Sequence, residues 1–158
     1  MLALFEAYLD RLQALHAEME RAIEDLPPAA LDWTPGPDTN SLAVLVVHAV
    51  GAERYWIGDV IGGDPSGRDR EAEFRAQGLE AASLRARLNQ TLAHTRSVLD
   101  PLTHQDLEAN RLSPRDGRQA TVAWAMAHTL QHTAVHTGQM QLTRQLWDQH
   151  ARGLTRTG

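Results

Sequence analysis

Residues 42–50 read Leu42-Ala43-Val44-Leu45-Val46-Val47-His48-Ala49-Val50, apolar almost all the way round and broken by a single histidine. A helix that is hydrophobic on every side belongs in the middle of a structure rather than on its surface. The stretch is far too short to span a bilayer, and His48 interrupts it. It therefore predicts a central helix of a soluble bundle. Asn40 or Ser41 offers an N-cap. The helix is expected over residues 41–61, where Gly62-Gly63-Asp64-Pro65 ends it.

Outward from this segment, three more stretches carry helical periodicity. In residues 2–25, Leu2, Phe5, Leu9, Leu12, Leu15, Met19 and Ile23 form one stripe, and Pro27 and Pro28 stop it. The connector Leu31-Asp32-Trp33-Thr34-Pro35-Gly36-Pro37-Asp38-Thr39-Asn40 is too rich in proline and glycine for regular helix. Residues 66–77 are charged and read as an exposed loop. A third helix is expected over residues 79–99, with Leu84, Leu88, Leu92, Thr95 and Leu99 inward. A loop with Pro101, Pro114 and Gly117 leads to a fourth over residues 119–149. Nothing reads as a strand. The expectation is an all-α four-helix bundle, one domain over residues 1–158, with a connector long enough to cross the bundle and join parallel neighbours.

Composition narrows the function. Of 158 residues 42% are hydrophobic and 22% charged, an ordinary soluble balance, and the net charge is −5. That balance argues against a nucleic-acid partner, and no basic run or zinc-finger pattern appears. The absence of cysteine excludes disulfides, a cysteine nucleophile and thiolate ligands. The acidic, amphipathic start is unlike a signal peptide, so a cytoplasmic location is expected. No Ser-His-Asp order, phosphate loop or nucleotide fingerprint occurs.

The eight histidines carry the chemistry. The fourth helix holds His128-Thr129-Leu130-Gln131-His132-Thr133-Ala134-Val135-His136-Thr137-Gly138-Gln139. Four residues turn a helix by about 400°, so His132 and His136 share one face, with Cβ atoms roughly 5–6 Å apart. Two imidazoles so placed can both reach one cation at about 2.0–2.1 Å. No Glu follows the first, which removes the helical protease motif. Leu130, Val135 and Leu142 flank the pair and predict a buried face, where unpartnered imidazoles are costly. His48, in the most apolar stretch, is expected to be a neutral imidazole, the metal-binding form. A metal site of His48, His132 and His136 leaves a coordination position open, the mark of a catalytic centre. Imidazole ligation suits Zn, Ni, Fe or Co.

No catalytic residue is assigned. His128 has three open roles: a group behind the ligands, an alternative ligand, or a satisfied core histidine. Gln139 can bond a ligand or substrate, or tie two helices together. Glu53 can support a ligand or act as a base, or form a salt bridge. His16, His94, His104 and His150 lie in polar settings and read as surface residues. Trp33, Trp56, Trp124 and Trp147 read as core and interface aromatics.

Leu31-Asp32-Trp33-Thr34-Pro35 leading to Asn40-Ser41, His48 followed by Glu53-Arg54-Tyr55-Trp56, and His132-x-x-x-His136-x-Gly138-Gln139 together resemble the DinB/YfiT-like metalloenzyme family, which is unrelated to the DNA polymerase sharing the name. The resemblance runs over nearly the whole chain. It implies a four-helix bundle with a crossover connection, a three-histidine divalent metal site and frequent homodimers. By position the ligands fall on His48, His132 and His136, while His128 is common in the family without usually being a ligand. Some members are similar to S-transferases that use a low-molecular-weight thiol such as bacillithiol or mycothiol, and mycothiol-dependent maleylpyruvate isomerase is a more distant relative. The expected function is thus a metal-dependent thiol S-transferase acting on small electrophiles in detoxification or stress response. Zn or Ni is the foremost metal, with Fe, Co or Mn also admissible, and no membrane partner is expected. The alternatives are a non-catalytic metal-binding stress-response protein and a metal-dependent hydrolase.

Overall fold

The computed structural model describes residues 1–156, with side chains through residue 153. Residues 157 and 158, included in the expected domain, lie outside the described residues. α1 (Ala3–Ile23) buries Phe5, Leu9, Leu12, Met19 and Ile23, a stripe at spacings of three, four and seven. Asp25, at φ 57°, turns the chain out of it, and Pro27 and Pro28 open the single turn α2 (Pro28–Leu31). Proline suits that place, because its missing N–H would be unpaired there anyway. α3 (Leu42–Glu53) starts at Ser41, whose Oγ accepts the Val44 N–H at 3.2 Å. The helix then widens into a π segment, Arg54–Ile61. α4 (Arg70–Glu73) is one turn, α5 spans Ala81–Leu99, and α6 spans Val122–Arg156.

The long helices form a four-helix bundle. α1 packs on α5 and α6, and α3 packs on the same two, so α1 faces α3 across a diagonal. Two core clusters give the directions. At one end Phe5, Leu9 and Leu12 meet Ile57, Val60, Leu99, Val122 and Ala125. At the other, Met19 and Ile23 meet Leu42, Val46, Leu84, Leu88 and Met140. α1 and α6 therefore run one way, and α3 and α5 the other. Parallel neighbours need a return path, which residues 62–80 supply by running back along the bundle with α4 against α3. This is the expected crossover.

Two expectations need correction. Residues 110–112 and 119–121 form a small antiparallel hairpin, β1 (Asn110–Leu112) and β2 (Gln119–Thr121), with Arg111 opposite Ala120. α6 consequently begins at Val122 rather than at residue 119. Three-residue strands are too short to show alternation. The hairpin is held by its turn, where Ser113 bonds Asp116 at 2.5 Å and Gly117 takes φ 69°, and by Tyr55, whose hydroxyl meets Ser113 Oγ at 2.6 Å. The charged stretch at 66–77 is also not simply an exposed loop, since it contains α4 and buries Glu73. Among the described residues, no helix is long and apolar enough to cross a membrane.

Candidate metal centre

His48 projects from α3, and His132 and His136 from α6, where the two helices pack side by side. One nitrogen from each of the three rings lies within 4.8 Å of the other two. His132 and His136 bring their Nε2 atoms to 3.2 Å, and the His48 ring centre is 5.0 Å from each of theirs. His48 is buried, while the two α6 histidines are half-buried, so the cluster opens outward on the α6 side.

Hydrogen bonds fix two of the rings. Nδ1–H of His48 donates to Glu73 Oε2 at 2.9 Å, and Nδ1–H of His136 donates to Gln139 Oε1 at 2.7 Å. Both acceptors lack protons, so both rings carry their proton on Nδ1 and turn the Nε2 lone pair into the cluster. His132 Nδ1 is buried without a hydrogen-bond partner. Glu73 is itself gripped by Arg68, whose Nε–H donates to Oε1 at 2.6 Å and Nη2–H to Oε2 at 2.8 Å. The next residue, Phe74, lays its ring 4.7 Å from that of His48.

The electrostatics disfavour protonation of the two α6 imidazoles. Burial pushes His132 down to about 3, and the neighbouring His136, His48, His128 and Arg68 add to the shift. Burial also lowers His136, opposed by its bond to Gln139 and aided by His48. Burial pushes the Glu73 carboxyl up, but hydrogen bonds from Arg68 and His48, together with the Arg68 charge, outweigh it and leave the group below its ordinary value. Three imidazoles converging without a carboxylate among the converging atoms suit a borderline divalent cation, so the donor set fits one.

The other sequence candidates separate. Gln139 lies at the site, bonded to His136. His128 lies outside the group of three: its ring stacks on Trp124 at 4.8 Å and 8°, 5.9 Å from His132, and burial and Arg118 lower its pKa. Glu53 points elsewhere in the core, accepting His16 Nε2–H at 2.8 Å and Thr95 Oγ1–H at 2.7 Å. His16 is therefore buried, not a surface residue. His94 is half-buried against Asp64 at 3.0 Å, and His150 stacks on Trp33. Val135 and Leu142, expected to cover the pair, are 52% and 56% exposed. Burial of His132 comes from the packing of α6 on α3 instead. Sequence reasoning missed Glu73, Arg68 and Phe74, all on the crossover.

The comparisons agree with this architecture. The profile of the mycothiol-S-transferase family matches residues 6–149. No curated protein sequence matches the chain. Among solved structures, a conserved protein from Enterococcus faecalis superposes with a TM-score of 0.78 at 17% identity, covering 92% of this chain and 98% of that one. YfiT from Bacillus subtilis, described as a probable metal-dependent hydrolase with an unusual four-helix bundle topology, gives 0.73 at 14% identity, covering 92% and 89%. The mycothiol-dependent maleylpyruvate isomerase gives 0.62 at 13%, covering 84% of this chain and 59% of that one. At such identities these structures speak to fold. With the crossover bundle, the histidine cluster and a profile spanning nearly its whole length, the chain is a DinB/YfiT-like protein of the mycothiol-S-transferase family.

Proposed function

We propose that this protein holds a divalent metal at His48, His132 and His136 and uses it to join a low-molecular-weight thiol to a small electrophile: the S–H bond breaks and a C–S bond forms, while a halide leaves and the proton goes to solvent, or an epoxide C–O bond opens and its oxygen takes the proton. The observation that carries the reading is the convergence of three imidazole nitrogens within 4.8 Å, half-open to solvent. Family membership supports a thiol co-substrate, with mycothiol the first to test. A cation held there would lower the pKa of a bound thiol or water. The chain's own part is to present the nitrogens. Glu73 and Gln139 fix the tautomers of His48 and His136, and burial keeps protons off His132 at neutral pH. Phe74 shields the His48 ring from one side.

The test begins with metal content. The untagged protein is expected to carry, or take up on reconstitution with Zn or Ni, about one divalent ion per chain by mass spectrometry, and a folded His132→Ala variant to lose it. Thiol consumption is then followed with mycothiol, with bacillithiol and without thiol, against an alkyl halide or epoxide. Turnover that survives His132→Ala would overturn the mechanism. Turnover of an ester or amide without thiol would replace it with the hydrolase reading. Metal loss that unfolds the chain, with no turnover in any assay, would leave a non-catalytic role. A cytoplasmic homodimer is part of the proposal, and a monomer mass by light scattering at micromolar concentration would remove that part.

A further inference from the structure

Glu73 sits in a segment whose composition reads as solvated loop, yet its side chain is only 8% exposed. A carboxylate is taken out of water at high cost unless its lone pairs are filled. Here both oxygens are filled: Oε1 by Arg68, and Oε2 by Arg68 and His48. The turn that carries it is fixed as well, since Asp69 caps α4 by accepting the Ala72 N–H at 2.9 Å.

The receiving surface is shaped for this carboxylate. Gly51 lies three residues after His48 in the interior of α3. A Cβ built there falls 2.8 Å from Glu73 Cδ, closer still to Oε1, and 3.4 Å from Arg68 Nε. Glycine weakens a helix interior, and its φ here is ordinary, so backbone freedom does not explain it. What position 51 needs is the missing methyl group.

Taking the three histidines as the metal site, we propose that Glu73 is the positioning residue of the centre, seated by Gly51 and gripped by Arg68. It holds His48 as the Nδ1–H tautomer and aims Nε2 at the cation. Partners behind a metal-bound histidine set ring orientation and basicity in this way. The grip comes from the crossover, so the centre is completed by residues 68–74 as well as by α3 and α6.

The test uses the full chain labelled with ¹⁵N and free of metal. Long-range proton–nitrogen spectra read which ring nitrogen of His48 carries the proton, and titration against a chromophoric chelator reads zinc affinity. The parent is expected to show one His48 tautomer, Nδ1–H. Gly51→Ala, which favours the helix and is expected to fold, should displace Glu73, mix the tautomers and weaken zinc binding about 10–100-fold, with saturation still at one ion. Glu73→Ala should do the same, and Arg68→Lys, which keeps the charge but loses the fork, should fall between. A Gly51→Ala protein that keeps the single tautomer and binds zinc within about threefold of the parent overturns the proposal. A parent that binds no zinc overturns the metal reading instead, and the metal-free tautomer still decides the role of Glu73.

Discussion

His132 and His136 direct their Nε2 atoms at each other across 3.2 Å, while the far nitrogen of His136 is already donating to Gln139. The Nε2 atom of His136 is therefore a lone pair. Without a metal, only an Nε2–H tautomer of His132 satisfies the contact, which leaves His132 Nδ1 as the buried, unpartnered acceptor it is. With a cation between them, both lone pairs are satisfied at once. A proton can replace the cation only by entering an environment whose burial already lowers the pKa of both rings.

This fixes a sign for pH dependence. His128, His132 and His136 are all lowered from an ordinary 6.5 in the folded chain, His132 to about 3. As pH falls below about 6.5 the unfolded chain takes up these protons and the folded chain does not. Their contribution to stability is thus full above about 6.5 and declines toward pH 3. Melting of the metal-free protein is expected at progressively lower temperature from pH 7.5 to 5.5, a range above most carboxylate titration. The slope should be shallower in His132→Phe. A parent melting temperature flat over that range would contradict the assignment.

His128 makes a separate prediction. Its ring stacks on Trp124, meets Trp56 edge-on and lies outside the convergent three. His128→Phe keeps the stacking and is expected to retain one bound ion per chain with affinity little changed. Loss of the metal in a folded His128→Phe protein would make His128 a ligand and require a different geometry on α6.

Gln139 is the milder counterpart of Glu73. It orients His136 through a neutral amide on a half-open face, where water can take over its hydrogen bond. Gln139→Ala is expected to weaken zinc binding by about tenfold, the low end of such effects. A loss larger than that from Glu73→Ala, in the same chelator titration, would reverse the ranking and make the α6 side the better-organised half of the centre.

The sequence was informative where one element determines the outcome. The all-round apolar run at 42–50 marked α3 as buried on nearly every side, although it stands at a corner of the bundle with α4 covering it rather than in the middle, and the spacing of four between His132 and His136 put both rings on one face. It was least informative where a polar residue is buried by a distant partner. Glu73 depends on His48, twenty-five positions away, and on the gap at Gly51. That glycine, inside an apolar helix three residues past the first histidine, was the available signal. His16 was misjudged by type rather than by position. It falls between Leu12 and Met19 at spacings of four and three, on the stripe itself, so the helix geometry already placed it inward.

The His16–Glu53 pair supports the last prediction. Both side chains are almost fully buried, at 4% and 0% exposure, and among the described residues Glu53 has only His16 and Thr95 to satisfy it. Removing one partner of such a pair strands the other, at a cost of about 3–5 kcal/mol. His16→Ala is therefore expected to lower the urea midpoint sharply. Because the pair faces α1 and α5 rather than the histidine cluster, the surviving folded protein should still bind one zinc ion at parental affinity. Glu53→Gln keeps the shape and both hydrogen-bonding positions, and should cost clearly less. If His16→Ala left stability intact but weakened zinc binding, the pair would belong to the metal centre, and Glu53 would regain the supporting role its position after His48 first suggested.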